Sequence, residues 1–319
     1  MKCCNEKPII ELVGNEKLCK MHFNEYFENK VFKTIRQFDL IGKEENLGVA
    51  VSGGKDSLTL LYILKKLSEQ NPKLKITAIA INEGIEGYRD KSLATAKEFC
   101  DKNNIKLNIY SYEKEFGMPL DNMLKTLDVK PCTICGIFRR YLLNKKSRGL
   151  GLTRLATGHN LDDECQSIMM NQFKNNIQAS ARLGPKVGVK ENKSFVQRIK
   201  PLYLCTEKEV TTYAFINNLL DEFSECPNVA KSYRAQVRDM LNDFEQKFSG
   251  TKYSIVNSFL HTLPNLKQRF KDEAVNYCTN CGEAASKDKC NACKFVDRLN
   301  KAKDKALFLP GMLARGKNI

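Results

Sequence analysis

Lys55, Asp56 and Ser57 follow two glycines, Gly53 and Gly54, at the end of an apolar run over residues 47–51, an order suited to holding phosphate. Without a Cβ to keep an anion off the backbone, successive N–H groups and the N-terminus of a helix starting near Asp56 converge on one point. Lys55 adds a positive charge there, and Ser52 and Ser57 add hydroxyls. A Walker A loop needs Gly, four residues, then Gly-Lys and Ser or Thr. Counted from Gly48, Gly54 is one glycine too many, and Asp56 stands where the magnesium-binding hydroxyl belongs. No Gly-x-Gly-x-x-Gly follows the run, so the dinucleotide fingerprint is excluded as well.

A second turn of the same kind follows residues 153–156: Thr157-Gly158-His159-Asn160, then the acids Asp162, Asp163 and Glu164 at the start of a helix. The helix dipole favours acids there in any case. Facing the phosphate loop, Asp162 and Asp163 could also bind magnesium or place the nucleotide. His159 is expected beside the nucleotide.

Thirteen cysteines in a chain without an apolar leader point to metal or redox chemistry, because a reducing cytosol opposes disulfides. Cys278-x-x-Cys281 and Cys290-x-x-Cys293, eight residues apart, predict a structural four-thiolate zinc site with no open position; iron is the alternative. Cys19-x-x-His22 is a half-site of similar kind, with Cys3 and Cys4 as its other candidates, although adjacent cysteines fit a knuckle poorly. Cys132 and Cys135 precede a basic stretch with Arg139, Arg140, Lys145 and Lys146. A helix N-terminus and nearby arginines lower a thiol's pKa, so this pair is expected to supply thiolates. A third ligand must come from a distance, and Cys226, before Pro227, is preferred to Cys205 or Cys165. Three cysteines on a four-iron cluster leave one iron open to an exogenous sulfide. A redox or persulfide pair without a cluster is the alternative.

These residues need a scaffold. Strands are expected over 47–51, 75–81, 106–111, 153–156 and 195–199, alternating with helices over 56–68, 90–103, 160–174 and 207–219. That alternation predicts an α/β fold with a doubly wound parallel sheet, whose ligand crevice lies at the carboxyl ends of the strands. The phosphate loop and the 158–159 turn should face that crevice together. The segment 175–194 reads as a loop and 228–275 as helix. The expected organisation is a metal module at 1–25, a catalytic domain at 26–225, a helical extension at 226–276 with Cys226 at its start, a zinc ribbon at 277–300 and a basic tail at 301–319.

At 319 residues and 42% hydrophobic the chain can bury a substantial core. Lys and Arg exceed Asp and Glu by 15, which favours a polyanionic partner, and beside a nucleotide loop that partner is expected to be nucleic acid. No apolar run is long enough to span a membrane and no secretory signal is evident, so no membrane contact and a cytoplasmic location are expected.

The loop Ser52-Gly53-Gly54-Lys55-Asp56-Ser57 resembles the PP-loop of ATP pyrophosphatases, the adenine nucleotide alpha-hydrolase-like fold. Taken with Asn82-Glu83-Gly84-Ile85-Glu86-Gly87-Tyr88-Arg89, Pro131-Cys132-Thr133-Ile134-Cys135-Gly136 and Gly158-His159-Asn160-Leu161-Asp162-Asp163, the chain is similar over nearly its whole length to the TtuA/NcsA family of tRNA 2-thiolation enzymes. Two departures are the adjacent Cys3-Cys4 and Asn82, where the family has an acid. The resemblance implies ATP on residues 52–57, with Gly158, His159 and Asp163 beside it. It gives Lys55 the role of offsetting charge during adenylation, and Asp56, Asp162 and Asp163 that of positioning magnesium and nucleotide. A [4Fe-4S] cluster would sit on Cys132, Cys135 and Cys226, with zinc on the flanking modules. The uridine C2 oxygen, at wobble position 34 by preference over 54, would be adenylated and then replaced by sulfur from sulfide or a sulfur-carrier protein. Arg139 and Arg140 would grip tRNA, and a homodimer is implied. The loop alone also fits an amide-forming ATP pyrophosphatase, and the cysteine modules fit a non-catalytic zinc-ribbon RNA-binding protein.

Overall fold

The computed structural model describes residues 6–190, 194–219, 226–228 and 232–307; Cys3, Cys4 and the tail from 308 lie outside the described residues. A hairpin, β1 (Ile10–Glu11) and β2 (Lys17–Leu18), leads into α1 (Lys20–Gln37). Next come β3 (Glu45–Ala50), α2 (Lys55–Gln70), β4 (Leu74–Asn82), α3 (Arg89–Lys102) and β5 (Leu107–Ser111). Two short helices, α4 (Tyr112–Phe116) and α5 (Leu120–Thr126), precede the long α6 (Pro131–Gly149). The chain continues through β6 (Arg154–Thr157), α7 (Leu161–Phe173), α8 (Ile177–Ala181), β7 (Gln197–Ile199) and α9 (Glu207–Ile216). It closes with α10 (Tyr233–Lys247), α11 (Thr251–Arg269), the hairpin β8 (Asn276–Tyr277) and β9 (Ala284–Ala285), and α12 (Asn291–Leu307).

The central sheet has the order β5-β4-β3-β6-β7 with every pairing parallel, as the alternating pattern predicts. Side-chain alternation along β4 sorts the layers. Ala78 packs with Phe27 of α1, Leu58 of α2, Phe99 of α3 and Tyr213 of α9. Ile79 and Ile81 face the other way, onto Met123 of α5 and Ile134, Phe138 and Leu142 of α6. Buried Leu and Ile side chains of this kind contribute about 1.5–3 kcal/mol each. From β3 the chain moves outward through β4 and β5, then returns to β6 on the opposite side. The strand order therefore reverses between β3 and β6, which opens a crevice at their carboxyl ends.

Helix α1 starts at Lys20, and Phe23, Phe27 and Val31, with Ile10 and Leu18 of the hairpin, belong to the main core. Two stretches depart from the sequence expectation. The stretch expected as a loop contains α8, capped by the Asn176 side chain accepting from the Ala179 N–H at 3.1 Å. The helical stretch after residue 228 breaks at Gly250, whose φ of +92° suits glycine. The resulting α10 and α11 fold back on α7, burying Val237, Leu241, Val256, Phe259 and Leu263 against Leu161, Cys165 and Ile168. No described helix is long and apolar enough to cross a membrane.

Candidate active site at the carboxyl ends of the central strands

The phosphate loop is fastened by its own hydroxyls. Ser57 Oγ accepts from the Ser52 N–H at 3.1 Å and donates to the Gly54 carbonyl at 2.9 Å. Gly54 is the N-cap of α2 and supplies no capping side chain, which leaves first-turn N–H groups for an anion. Lys55 Nζ lies 3.1 Å from carboxylate oxygens of both Asp56 and Glu207. Burial pulls its pKa down, but the two carboxylates outweigh burial and hold it above its ordinary value, so it stays a cation.

The second turn meets the loop backbone to backbone. A Cβ on Gly158 would stand 2.9 Å from the Asp56 carbonyl carbon, so only glycine allows this approach. Asn160 ties the turns together: its Nδ2 donates to Asp56 at 3.1 Å, while its Oδ1 caps α7 through the Asp163 N–H. Of the two consecutive acids, Asp163 is the one beside Asp56. Asp162 does not face the loop as expected; it is buried, ion-paired to Lys252 of α11, and accepts the Glu207 N–H at 2.7 Å. Adjacent positions on an α-helix point about 100° apart, so both acids cannot aim at one ligand. His159 is exposed on the crevice, its Nδ1 3.0 Å from Thr157 Oγ1. The surrounding walls, then Lys200, Arg234 and Arg198, push its pKa well down, so its ring is neutral at pH 7.

Desolvation chiefly, and then Asp56, raise the Asp163 pKa to about 6, although Arg234 at 3.7 Å opposes them. A carboxyl whose folded pKa lies above its unfolded value favours the fold when protonated, and that advantage disappears as pH rises. The stability of the native chain relative to an Asp163→Asn variant should therefore fall between about pH 4 and pH 6. Urea midpoints across that range would show it; a difference that stays flat with pH contradicts it.

Across the crevice, α6 begins at Pro131 and carries Cys132 and Cys135 in its first turns. Cys226 comes to them from a distant part of the chain. It shares the α6 core cluster with Cys135, and Cys132 Sγ lies 3.7 Å from the carbonyl of Asn228, two residues beyond Cys226. The three sulfurs do not all lie within 4.8 Å of one another; among the described residues the C-terminal cysteine set is the group that does. Three thiols are the donor type that an iron–sulfur cluster takes. Cys135 departs from the expected low-pKa thiolate: burial pushes its thiol up, and Arg139 only partly offsets this. Burial raises Cys226 likewise. Both are protonated thiols at neutral pH until a metal displaces the proton.

An ionic run, buried at Glu83 and Arg89 and exposed at Arg139, joins the two halves. Arg89 donates to the Ser52 carbonyl of the phosphate loop at 2.6 Å and pairs with the buried Glu83 at 2.7 Å. The other Glu83 oxygen lies 3.5 Å from Arg139, one helical turn beyond Cys135. Asn82 acts locally, its Oδ1 accepting the Gly84 N–H at 2.9 Å, which an aspartate would also do.

Cys278, Cys281, Cys290 and Cys293 form the compact group, mostly buried, with Cys281 and Cys290 sulfurs 3.7 Å apart. A single tetrahedral ion fits such a set. The group is bolted to α6: Glu283 accepts from Asn144 at 2.6 Å and pairs with Arg148, and Phe295 packs 6.3 Å from Phe138. At the other end, Cys19 Sγ and His22 Nδ1 are 3.2 Å apart.

Residues 23–243 match the PP-loop domain family model. The tRNA 2-thiolation protein NcsA of Haloferax volcanii is 31% identical over 93% of this chain and 98% of its own length. The tRNA-5-methyluridine(54) 2-sulfurtransferase of Pyrococcus horikoshii is 36% identical over 92% of this chain and 93% of its own. The chain belongs to the PP-loop tRNA 2-thiolation family. Among solved structures, the U34-tRNA thiolase NcsA from Methanococcus maripaludis with its [4Fe-4S] cluster is 33% identical, with a TM-score of 0.78 over 94% of this chain and 96% of that one.

For this thiolation-family chain, sequence reasoning singled out the loop 52–57, Gly158, Asp163, the central cysteine pair and Cys226; contacts link the loop to the 158–163 turn and, through Arg89 and Glu83, to α6 with the cysteine pair, and Cys226 packs in the cluster of Cys135. It gave no role to Glu83, Arg89, Asn160, Glu207 or Lys252. Glu83 and Arg89 are six residues apart with nothing in the sequence to announce a pair. A signal for Asn160 was present: an Asn three residues before Asp163 is a helix-cap pattern.

Proposed function

We propose that this chain is an ATP-dependent sulfurtransferase that converts a tRNA uridine, at wobble position 34, to 2-thiouridine. The observation that carries this reading is the run from the Ser52 carbonyl through Arg89 and Glu83 to Arg139, which ties the phosphate loop to the helix that carries Cys132 and Cys135. ATP phosphates rest on the N–H groups of residues 53–57. Lys55 turns from Glu207 to offset the charge of the departing pyrophosphate, and Asp56 and Asp163 hold the magnesium. The uridine C2 oxygen bonds to the α-phosphate and pyrophosphate leaves; sulfur then bonds to C2 and AMP departs with the original oxygen. Cys132, Cys135 and Cys226 would hold a [4Fe-4S] cluster, which supplies an open iron for the exogenous sulfide that becomes the thiocarbonyl.

Zinc on Cys278, Cys281, Cys290 and Cys293 has a structural role in this reading, pinning α6 through Glu283. A second zinc would take Cys19 and His22 with Cys3 and Cys4. The domain limits set out from the sequence, a homodimer and a cytoplasmic location complete the proposal. Anaerobic incubation with unmodified tRNA, ATP, magnesium and sulfide should release pyrophosphate only when tRNA is present and leave 2-thiouridine at position 34 on nuclease mapping. Pyrophosphate without 2-thiouridine would remove sulfur transfer from the reading. No tRNA-dependent pyrophosphate would remove the adenylation itself.

A further inference from the structure

The cations around the crevice mostly have internal partners: Arg89 and Arg139 share Glu83, Lys200 pairs with Glu164, and Arg234 with Asp163. Arg140 and Arg198 have no carboxylate partner among the described residues, and each is affected by a neighbouring guanidinium. The fold nevertheless brings them together. Arg198 of β7 stands opposite Leu155 of β6 in parallel register, so its side chain leaves the sheet on the face of Leu155. That face is covered by α6, where Leu155 packs with Phe138, Leu142 and Val196, two residues before Arg198. Arg140 reaches the same region from α6. Its Nη1 lies 3.0 Å from where a Cβ of Gly136 would stand, so the guanidinium folds back toward the turn that carries Cys135.

Arg140 is near enough for its charge to act on Arg198, and neither has a carboxylate among the described residues to offset that repulsion. Burial and then Arg140 pull the Arg198 pKa down to about 10, and burial and then Arg139 lower that of Arg140. The fold supports this repulsion with no internal relief, which an anion would provide. Planar guanidinium forks match phosphate oxygens in pairs.

We propose that Arg140 and Arg198 together seat one backbone phosphate of the RNA strand whose base enters the crevice. This rests on the tRNA reading above. Position separates the seat from the nucleotide's own phosphates: Arg198 is two strands from β3, roughly 10 Å across the sheet, whereas the phosphate loop follows β3 directly. It also lies on the α6 side, beside the cysteine centre that the target base must reach. An unstacked RNA loop presents base and phosphate together, as this arrangement requires.

The test uses the full chain with Arg140→Gln, Arg198→Gln and Arg198→Lys. For the Arg140→Gln/Arg198→Gln double variant the slope of log binding constant for tRNA against log salt should shrink by about 0.7–0.9 and tRNA affinity should fall about tenfold near physiological salt, and each single Gln variant should show part of both losses. The KM for ATP and the iron content should stay as in the native chain, and Arg198→Lys should keep the native salt slope. If Arg198→Gln fails to fold, Arg140→Gln, on an exposed helix position, carries the test. Native slope and affinity in the Gln variants would overturn the seat while leaving tRNA binding intact. A raised KM for ATP with tRNA affinity unchanged would give the pair to the nucleotide's phosphates and overturn it as well. Failure of the native chain to prefer tRNA over duplex DNA would remove the tRNA reading, and the seat with it.

Discussion

A Cys226→Ala chain prepared without oxygen should lose its iron and acid-labile sulfide together, and its thiolation rate should drop at least about a thousandfold, equivalent to roughly 4 kcal/mol of transition-state stabilisation. The metal of the Cys278–Cys293 group should stay. The geometry gives no substitute ligand among the described cysteines. Cys205 is fully buried in the core beneath α1, α2 and α9, and Cys165 is fully buried against α10 and α11. Cys226 alone of the three candidates shares the cluster of Cys135 and neighbours Cys132. Two remaining thiols would hold a four-iron cluster weakly. Metal analysis and mass spectrometry of digested tRNA read both effects. Iron retained at the native level would move the third ligand elsewhere, and native activity in an iron-free chain would favour a Cys132/Cys135 persulfide cycle.

Gly53→Ala should cut tRNA-dependent pyrophosphate release, lowering kcat/KM by about a hundredfold to a thousandfold, which is roughly 3–4 kcal/mol. Gly53 has φ +85°, and an added Cβ would lie 1.8 Å from the Ser92 carbonyl oxygen, a backbone atom that cannot turn aside. The loop must shift, and Arg89, which bonds both the Ser52 carbonyl and Ser92 Oγ, must shift with it. The thermal midpoint of the unliganded chain should fall too. Gly54→Ala separates the two causes. At Gly54 the nearest neighbour of an added Cβ is Ser52 Oγ at 3.5 Å, an ordinary contact, so the unliganded fold should keep its midpoint. Its methyl group would instead meet the phosphate at the N-terminus of α2, and only ATP use should suffer. Equal thermal midpoints for Gly53→Ala and the native chain, with full activity, would contradict the steric argument.

Local chemistry and periodicity decided a good deal by themselves. The apolar run ending in Ser52-Gly53-Gly54-Lys55-Asp56-Ser57 identified a phosphate loop because glycine pairs and hydroxyls act on their own backbone within a few residues. The alternation of strands and helices fixed a parallel sheet, since parallel strands need long crossovers and are buried on both faces. Cys-x-x-Cys spacing marked a compact thiolate site for the same local reason.

Other features required the chain to fold back on itself. The sequence placed Asp162 and Asp163 together, but the helical rotation between them turned one toward Asp56 and the other toward Lys252, 90 residues away. The pKa of Cys135 depends on how deeply α6 is packed, which no helix-terminus argument contains. The run from Ser52 through Arg89 and Glu83 to Arg139 joins a strand end, a helix start and a second helix that pattern treats as unrelated. The approach of Arg198 to Arg140 follows from the register of β7 on β6 and from the face that α6 covers. Residue type and spacing therefore specified which chemistry is present, whereas rotation, burial and long-range contact specified which of those groups share one site.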